Sequence, residues 1–242
     1  EDVKRFFFKQ YRPANAILTV AGHVTTAQVR QLAEKWFGDI PSGEHYIRHL
    51  PQEPVQTTPR KLEVHANVPV DAFYKCWHIC SRTDRRYYAT DLLTEVLSGG
   101  GSSRLFQSLV KEKQLFSNIG CYHFGSIDAG LAAIEGKLVK GVKMEEAESA
   151  VEAELQKIKN TLVEEKELRK VKNKTESLIT FEDMSLMNRA GSLSFCSLLG
   201  NTNMINEELE RYQGVSAAEL RQEAEIIFDP NNSVTMYYFG NH

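Results

Sequence analysis

No stretch of the chain stays apolar for the roughly 20 residues that a bilayer-crossing helix requires. The opening residues, Glu1 to Gln10, lack the ordered basic, apolar and small-residue regions of a signal peptide. Charge of one sign is also missing. The net charge is −3, with lysines and arginines interspersed among acids, so there is no basic stripe for a polyanion and nucleic acid is excluded as a partner class. Cysteine is sparse: Cys76, Cys80, Cys121 and Cys196 form no C-x-x-C pair, which argues against a thiolate metal site or a dithiol redox motif. Buried free thiols are the expectation, and the redox compartment stays open. No nucleophile–base pair or cofactor fingerprint is visible, which counts against an independent small-molecule enzyme.

What is present suffices for one sizeable core, or one core and a fragment of another: 242 residues, 42% hydrophobic and 25% charged. Val3 to Lys9 reads as an amphipathic helix, Ala16 to Gly22 as an apolar strand, and Thr26 to Phe37 as a second helix with Thr25 or Thr26 as its cap and Gly38 at its end. The chain opens without Met and directly on helical sequence, as expected of a segment of a longer polypeptide. Prolines 41, 51, 54 and 59 mark a connector. Beyond it, Lys61 to His65 and Ala72 to Cys80 read as strands, Asp84 to Leu97 and Ser102 to Lys113 as helices, and Ile119 to Phe124 with Ala132 to Val139 as a hairpin. Helices follow over Lys143 to Leu162, Glu164 to about Leu186, Asn203 to Tyr212 and Ala217 to Ile227, before a closing strand over Ser233 to Phe239. Hairpins flanked by consecutive helices predict an α+β class, a mixed and largely antiparallel sheet covered by helices on one face.

Several motifs resemble the pitrilysin/insulinase-type zinc metallopeptidases, a family that includes bacterial zinc proteases and mitochondrial processing peptidase subunits. Tyr11, Pro13, Asn15, Ala16, Val20, Gly22 and His23, then Trp36 to Pro41, resemble the end of that family's first domain. Gly99 to Phe106 with Leu109 to Lys113 resembles the signature G-G-x-x-S-R-L-(Y/F)-x-x-L-(V/R)-x-E-K. Glu167, Leu168, Lys170, Lys172 and Asn173 resemble a later family helix, and Gly214, Val215, Ser216 and Glu219 the start of another. The resemblance covers nearly the whole chain. It implies the end of a catalytic-type domain over 1–41, a linker over 42–60 and a complete noncatalytic domain over 61–242. It also implies a zinc peptidase parent in the bacterial cytoplasm or periplasm, and a homo- or heterodimer is one form that parent could take.

The family's chemistry needs H-x-x-E-H, two histidines one turn apart on zinc with a glutamate as general base, and this motif is absent. The nearest imitation, His45-Tyr46-Ile47-Arg48-His49, puts a cation where the base belongs and lies in the connector, so a solvated linker is the simpler reading. His23, His65, His78 and His123 are isolated, and His242 is terminal. This chain alone is therefore expected to be inactive. Zinc is expected in a segment or partner bearing H-x-x-E-H, and peptide is the expected substrate class. The alternative is an inactive homologue acting as scaffold or partner subunit.

Active family members hold the substrate backbone with an Arg and a Tyr from the later domain. Here Lys111 or Val110 stands near the Arg position, and Ser117 or Phe116 near the Tyr. Lys111, Phe116 and Ser117, with Arg104 as a surface or interdomain contact, are the candidate cleft residues. Glycines followed by hydroxyls at Gly99 to Ser103 also permit a phosphate loop, but no Walker lysine follows, and a sharp turn into a capped helix explains them better. Charges alternating in sign along 145–154 and 164–174 read as exposed helix faces.

Overall fold

The structure is a computed structural model describing residues 1–242 except Arg48, Gln52, Ser126, Asn241 and His242. The readings of Arg48 and of terminal His242 thus lie outside the described residues. In chain order the elements are α1 (Asp2–Gln10), α2 (Thr26–Phe37), β1 (Arg60–Ala66), β2 (Ala72–Ser81), α3 (Tyr87–Ser98), a π-helical segment (Phe106–Glu112), β3 (Phe116–Phe124), β4 (Ala129–Leu138), α4 (Met144–Asn160), α5 (Glu165–Glu182), α6 (Leu186–Leu198), α7 (Met204–Gln213), α8 (Ala217–Ile227) and β5 (Ser233–Gly240). Two compact units result, one of Glu1–Glu53 with Ser177–Glu208, the other of Pro54–Glu176 with Leu209–His242.

The larger unit holds one five-stranded sheet in the order β1-β5-β2-β4-β3. The β1–β5 pair is parallel and the other pairs are antiparallel, so the predicted class is observed. Alternation in β2 sets its two faces, as strand geometry requires: Phe73, Trp77 and Ile79 are buried, while Tyr74, Cys76 and His78 are half-buried. Helices α3, α4 and α8 pack on this sheet, over the buried row. Phe116 needs a neighbour without a side chain, because a Cβ at Gly136 would sit 2.6 Å from its ring.

One member of the buried row is a cation. Lys75 is 7% exposed, and its ammonium reaches Glu148 at 3.2 Å and Glu152 at 2.5 Å, both on α4. Glu148 also receives the hydroxyls of Tyr237 at 2.5 Å and Thr235 at 3.3 Å, with Lys61 at 3.5 Å. Burial pushes the Glu148 carboxyl up, but the Tyr237 hydroxyl and the Lys75 charge outweigh it and hold the group below its usual range.

The smaller unit begins as predicted, with α1 and with α2 capped by a reciprocal Thr25–Gln28 box. Ala16 to Gly22 differs from its reading as a strand: it joins no ladder among the described residues, because a strand needs a backbone partner and none lies beside it. The expected α-helix over 102–113 is instead π-helical from Phe106 to Glu112. The long helix expected to about Leu186 ends at Glu182, and α6 follows where no helix was predicted. Gly191 and the serines 192, 194 and 197 weaken its local signal.

Removing the carboxylate would strand a buried ammonium, so Glu148→Ala should cost about 3 kcal/mol in urea unfolding. The folded-state pKa of Glu148 is depressed, so its contribution is present above the ordinary carboxylate value of about 4.3. It is lost as pH falls through the lower folded value. Glu148→Gln should flatten that acid-side decline in stability, read by thermal melts from pH 6 to pH 2.

Candidate functional site

The motifs separated in sequence meet in space. α3 ends at Gly99, Gly100 takes φ +118, and the Ser103 hydroxyl donates to the Gly100 carbonyl at 2.6 Å. From α5, Lys174 donates to Glu95 at 2.5 Å and to the Gly99 carbonyl at 3.3 Å, and Lys170 donates to the Ser102 hydroxyl at 3.0 Å. Arg104 donates to both carboxylate oxygens of Glu167, from Nε at 3.1 Å and Nη2 at 2.7 Å, with both side chains 21% exposed. The glycine-serine loop is thereby a turn clasped by α5, with two of its hydroxyls engaged.

A second anchor fixes the π-helical segment. The Ser108 hydroxyl donates to Glu154 at 2.6 Å, and Lys157 donates to the same oxygen at 2.8 Å. Glu154 is 3% exposed; burial raises its pKa, and the Lys157 and Ser108 bonds outweigh that and hold it low.

The four candidate cleft residues are not brought together. Arg104 is engaged by Glu167, Lys111 is exposed with its ammonium 5.6 Å from the Phe106 ring centroid, and Ser117 donates to the Lys137 carbonyl at 3.1 Å. Phe116 is 1% exposed and meets Phe73 edge-on in the core, so it offers no ring to a peptide. No hydrogen bond or ion pair joins these four side chains to each other among the described residues.

The histidines are dispersed. His45 Nδ1 lies 3.0 Å from the Ala14 carbonyl, His65 stacks on Phe239, and His123 Nε2 lies 3.0 Å from the Tyr87 hydroxyl. No group of three His, Cys, Asp or Glu suited to a metal occurs among the described residues. The residues at hand therefore do not fit a zinc ion. Cys80, Cys121 and Cys196 are buried and Cys76 is half-buried, all four outside any disulfide, with burial pushing the Cys121 thiol up to about 12.

What sequence reasoning missed is the other face of the sheet. Leu62, Tyr122, Phe124 and Leu131 are exposed there. Tyr74 stands opposite Glu135, and the Tyr122 hydroxyl donates to Glu135 Oε2 at 3.1 Å. Burial, then the Glu135 bond and charge, push the Tyr122 phenol up to about 12, and burial followed by Glu135 raises Tyr74 as well. Part of the signal was available: Tyr122 and Phe124 share one parity of the first predicted hairpin strand and Glu135 lies in the second, whereas Leu131 fell in the predicted turn and its pairing with Phe124 emerged only in the structure.

A five-stranded sheet backed by helices, with the signature turn clasped by α5, is the frame of the larger unit. The sequence family described as "Peptidase M16 inactive domain" matches residues 1–175, and the chain belongs to that family. It is similar to the zinc protease PqqE of Helicobacter pylori, 24% identical over 98% of this chain and 54% of that protein. It is also similar to the uncharacterized zinc protease YmxG of Bacillus subtilis, 22% identical over 98% of this chain and 57% of that one. The crystal structure of a protease from Helicobacter pylori shares the fold, with TM-score 0.90 and 23% identity over 98% of this chain and 58% of that chain. The chain thus spans about half the length of the curated relatives it matches.

Cutting the clasp should loosen the signature turn. Arg104→Ala is expected to lose about 2 kcal/mol in urea unfolding, since charge-assisted bonds are lost and a half-buried Glu167 is left alone. Arg104→Lys should recover less than half, because an ammonium cannot supply the paired donors.

Proposed function

We propose that this chain is the noncatalytic, substrate-enclosing part of a zinc metalloendopeptidase whose H-x-x-E-H site lies on another segment or subunit. In this reading 1–41 closes a catalytic-type domain, 42–60 is the linker and 61–242 is the second domain. One observation carries it. Residues 2–22 repeat the plan of residues 217–240: a helix, two residues, a 3₁₀ turn on Pro-x-Asn, then an apolar extended run ending in Gly. In the second copy that run is β5, held between β1 and β2. In the first it joins no ladder among the described residues, and Ile17, Leu18, Val20, Trp36 and Phe37 are 43–66% exposed.

An apolar strand of that kind belongs inside a sheet. A second domain of the same design, bearing the zinc site, would supply it. The relatives' additional length leaves room for such a domain. Lys111 and Ser117, where active members are expected to hold substrate with Arg and Tyr, favour the alternative, an inactive homologue acting as scaffold or partner subunit for an active peptidase.

The test is zinc content and peptide cleavage by this chain alone, then after mixing with a family member bearing H-x-x-E-H. No zinc and no cleavage alone, with cleavage gained or altered on mixing, is the expected result. Stoichiometric zinc with cleavage by this chain alone would overturn the proposal.

A further inference from the structure

We propose that Glu135, flanked by Tyr74 and Tyr122 on the open face of the sheet, receives a lysine or arginine side chain of an extended peptide. The inference rests on the reading that this face encloses substrate, and it adds the class of peptide. Glu135 is half-buried, and its one hydrogen bond among the described residues is the 3.1 Å bond from Tyr122 to Oε2. Oε1 has no partner, and no cation of the chain pairs with the carboxylate among the described residues.

Solvent satisfies the carboxylate as it stands, since its bond to Tyr122 is exposed, but a peptide seated on it would remove that water and leave a charge that is costly without a counter-charge. It sits between two phenol rings, whose faces attract cations, and both phenols are pushed up by burial and by Glu135 itself. An anionic side chain would be repelled here, and an aliphatic one would bury Oε1 with nothing to satisfy it. A cation completes both requirements. Phe124 and Leu131 form a facing pair further along the same face and are 60% and 40% exposed. Side chains on one face of an extended peptide repeat about every 7 Å, so an apolar residue two or four positions from the cation would lie against this pair.

The experiment measures binding of fluorescein-labelled, unstructured ten-residue peptides to the intact chain by anisotropy. The peptides are identical except for lysine, arginine or norleucine at the central position, with leucine two residues away. Lysine and arginine peptides should bind at least about tenfold tighter than the norleucine peptide, with the margin shrinking from 50 to 500 mM salt. Glu135→Gln should abolish the margin, Tyr122→Leu should reduce it, and Glu146→Gln on the exposed face of α4 should leave it intact. Far-UV circular dichroism establishes that each variant is folded. Equal binding of all three peptides, a margin that survives Glu135→Gln, or no binding of any peptide would overturn the inference. Zinc content and cleavage on mixing are separate readouts, so loss of the cation preference with activity gained on mixing sinks this inference and leaves the proposed function standing.

Discussion

Lys75 lies in the middle of the sheet, where an uncompensated ammonium cannot stay. Its neutralisation by Glu148 and Glu152 sets where α4 crosses, because both acids stand on one face of that helix, four residues apart. Tyr237, Thr235 and Lys61 converge on the same carboxylate, tying β1 and β5 to β2 through a single acidic side chain. The hydrophobic row around it, Phe73, Trp77 and Ile79, supplies the burial that makes the charge pairing obligatory.

The peptidase-type signature has a mechanical meaning in this chain. Its glycines turn the backbone at the end of α3, and its arginine and serine then bind a helix some 60 residues further on: Arg104 to Glu167 and Ser102 to Lys170. Residues that resemble a family motif thus serve to hold the larger unit together. Lys111 is exposed beside the Phe106 ring, and Ser117 bonds a neighbouring strand. The open sheet face carries aromatic rings beside a carboxylate.

Much of the fold was legible because its signals are local. The capping boxes at Thr25 and Ser216, the glycine after α3 and the parity of β2 each rest on neighbours within a few residues. α6 was not legible, since glycine and serines dilute its pattern and its formation depends on packing. The π-helical segment was not legible either, since a short π-helical stretch has no residue pattern that separates it from an α-helix. Phe116 was ambiguous as an aromatic following a helix, and burial against Phe73 and Gly136 decided its role.

The sequence by itself determined the class of fold, the relation to the peptidase family and the lack of an H-x-x-E-H site, because composition, periodicity and motif spacing are properties of the chain alone. Tertiary structure decided which motif residues hold the fold and which face of the sheet carries exposed side chains. Arg104 and Glu167 stand 63 residues apart, Ser108 and Glu154 46, and only the packed sheet and helices bring such partners within hydrogen-bond reach. The same holds for Ala16 to Gly22: its sequence says strand, and only a neighbouring backbone can make it one.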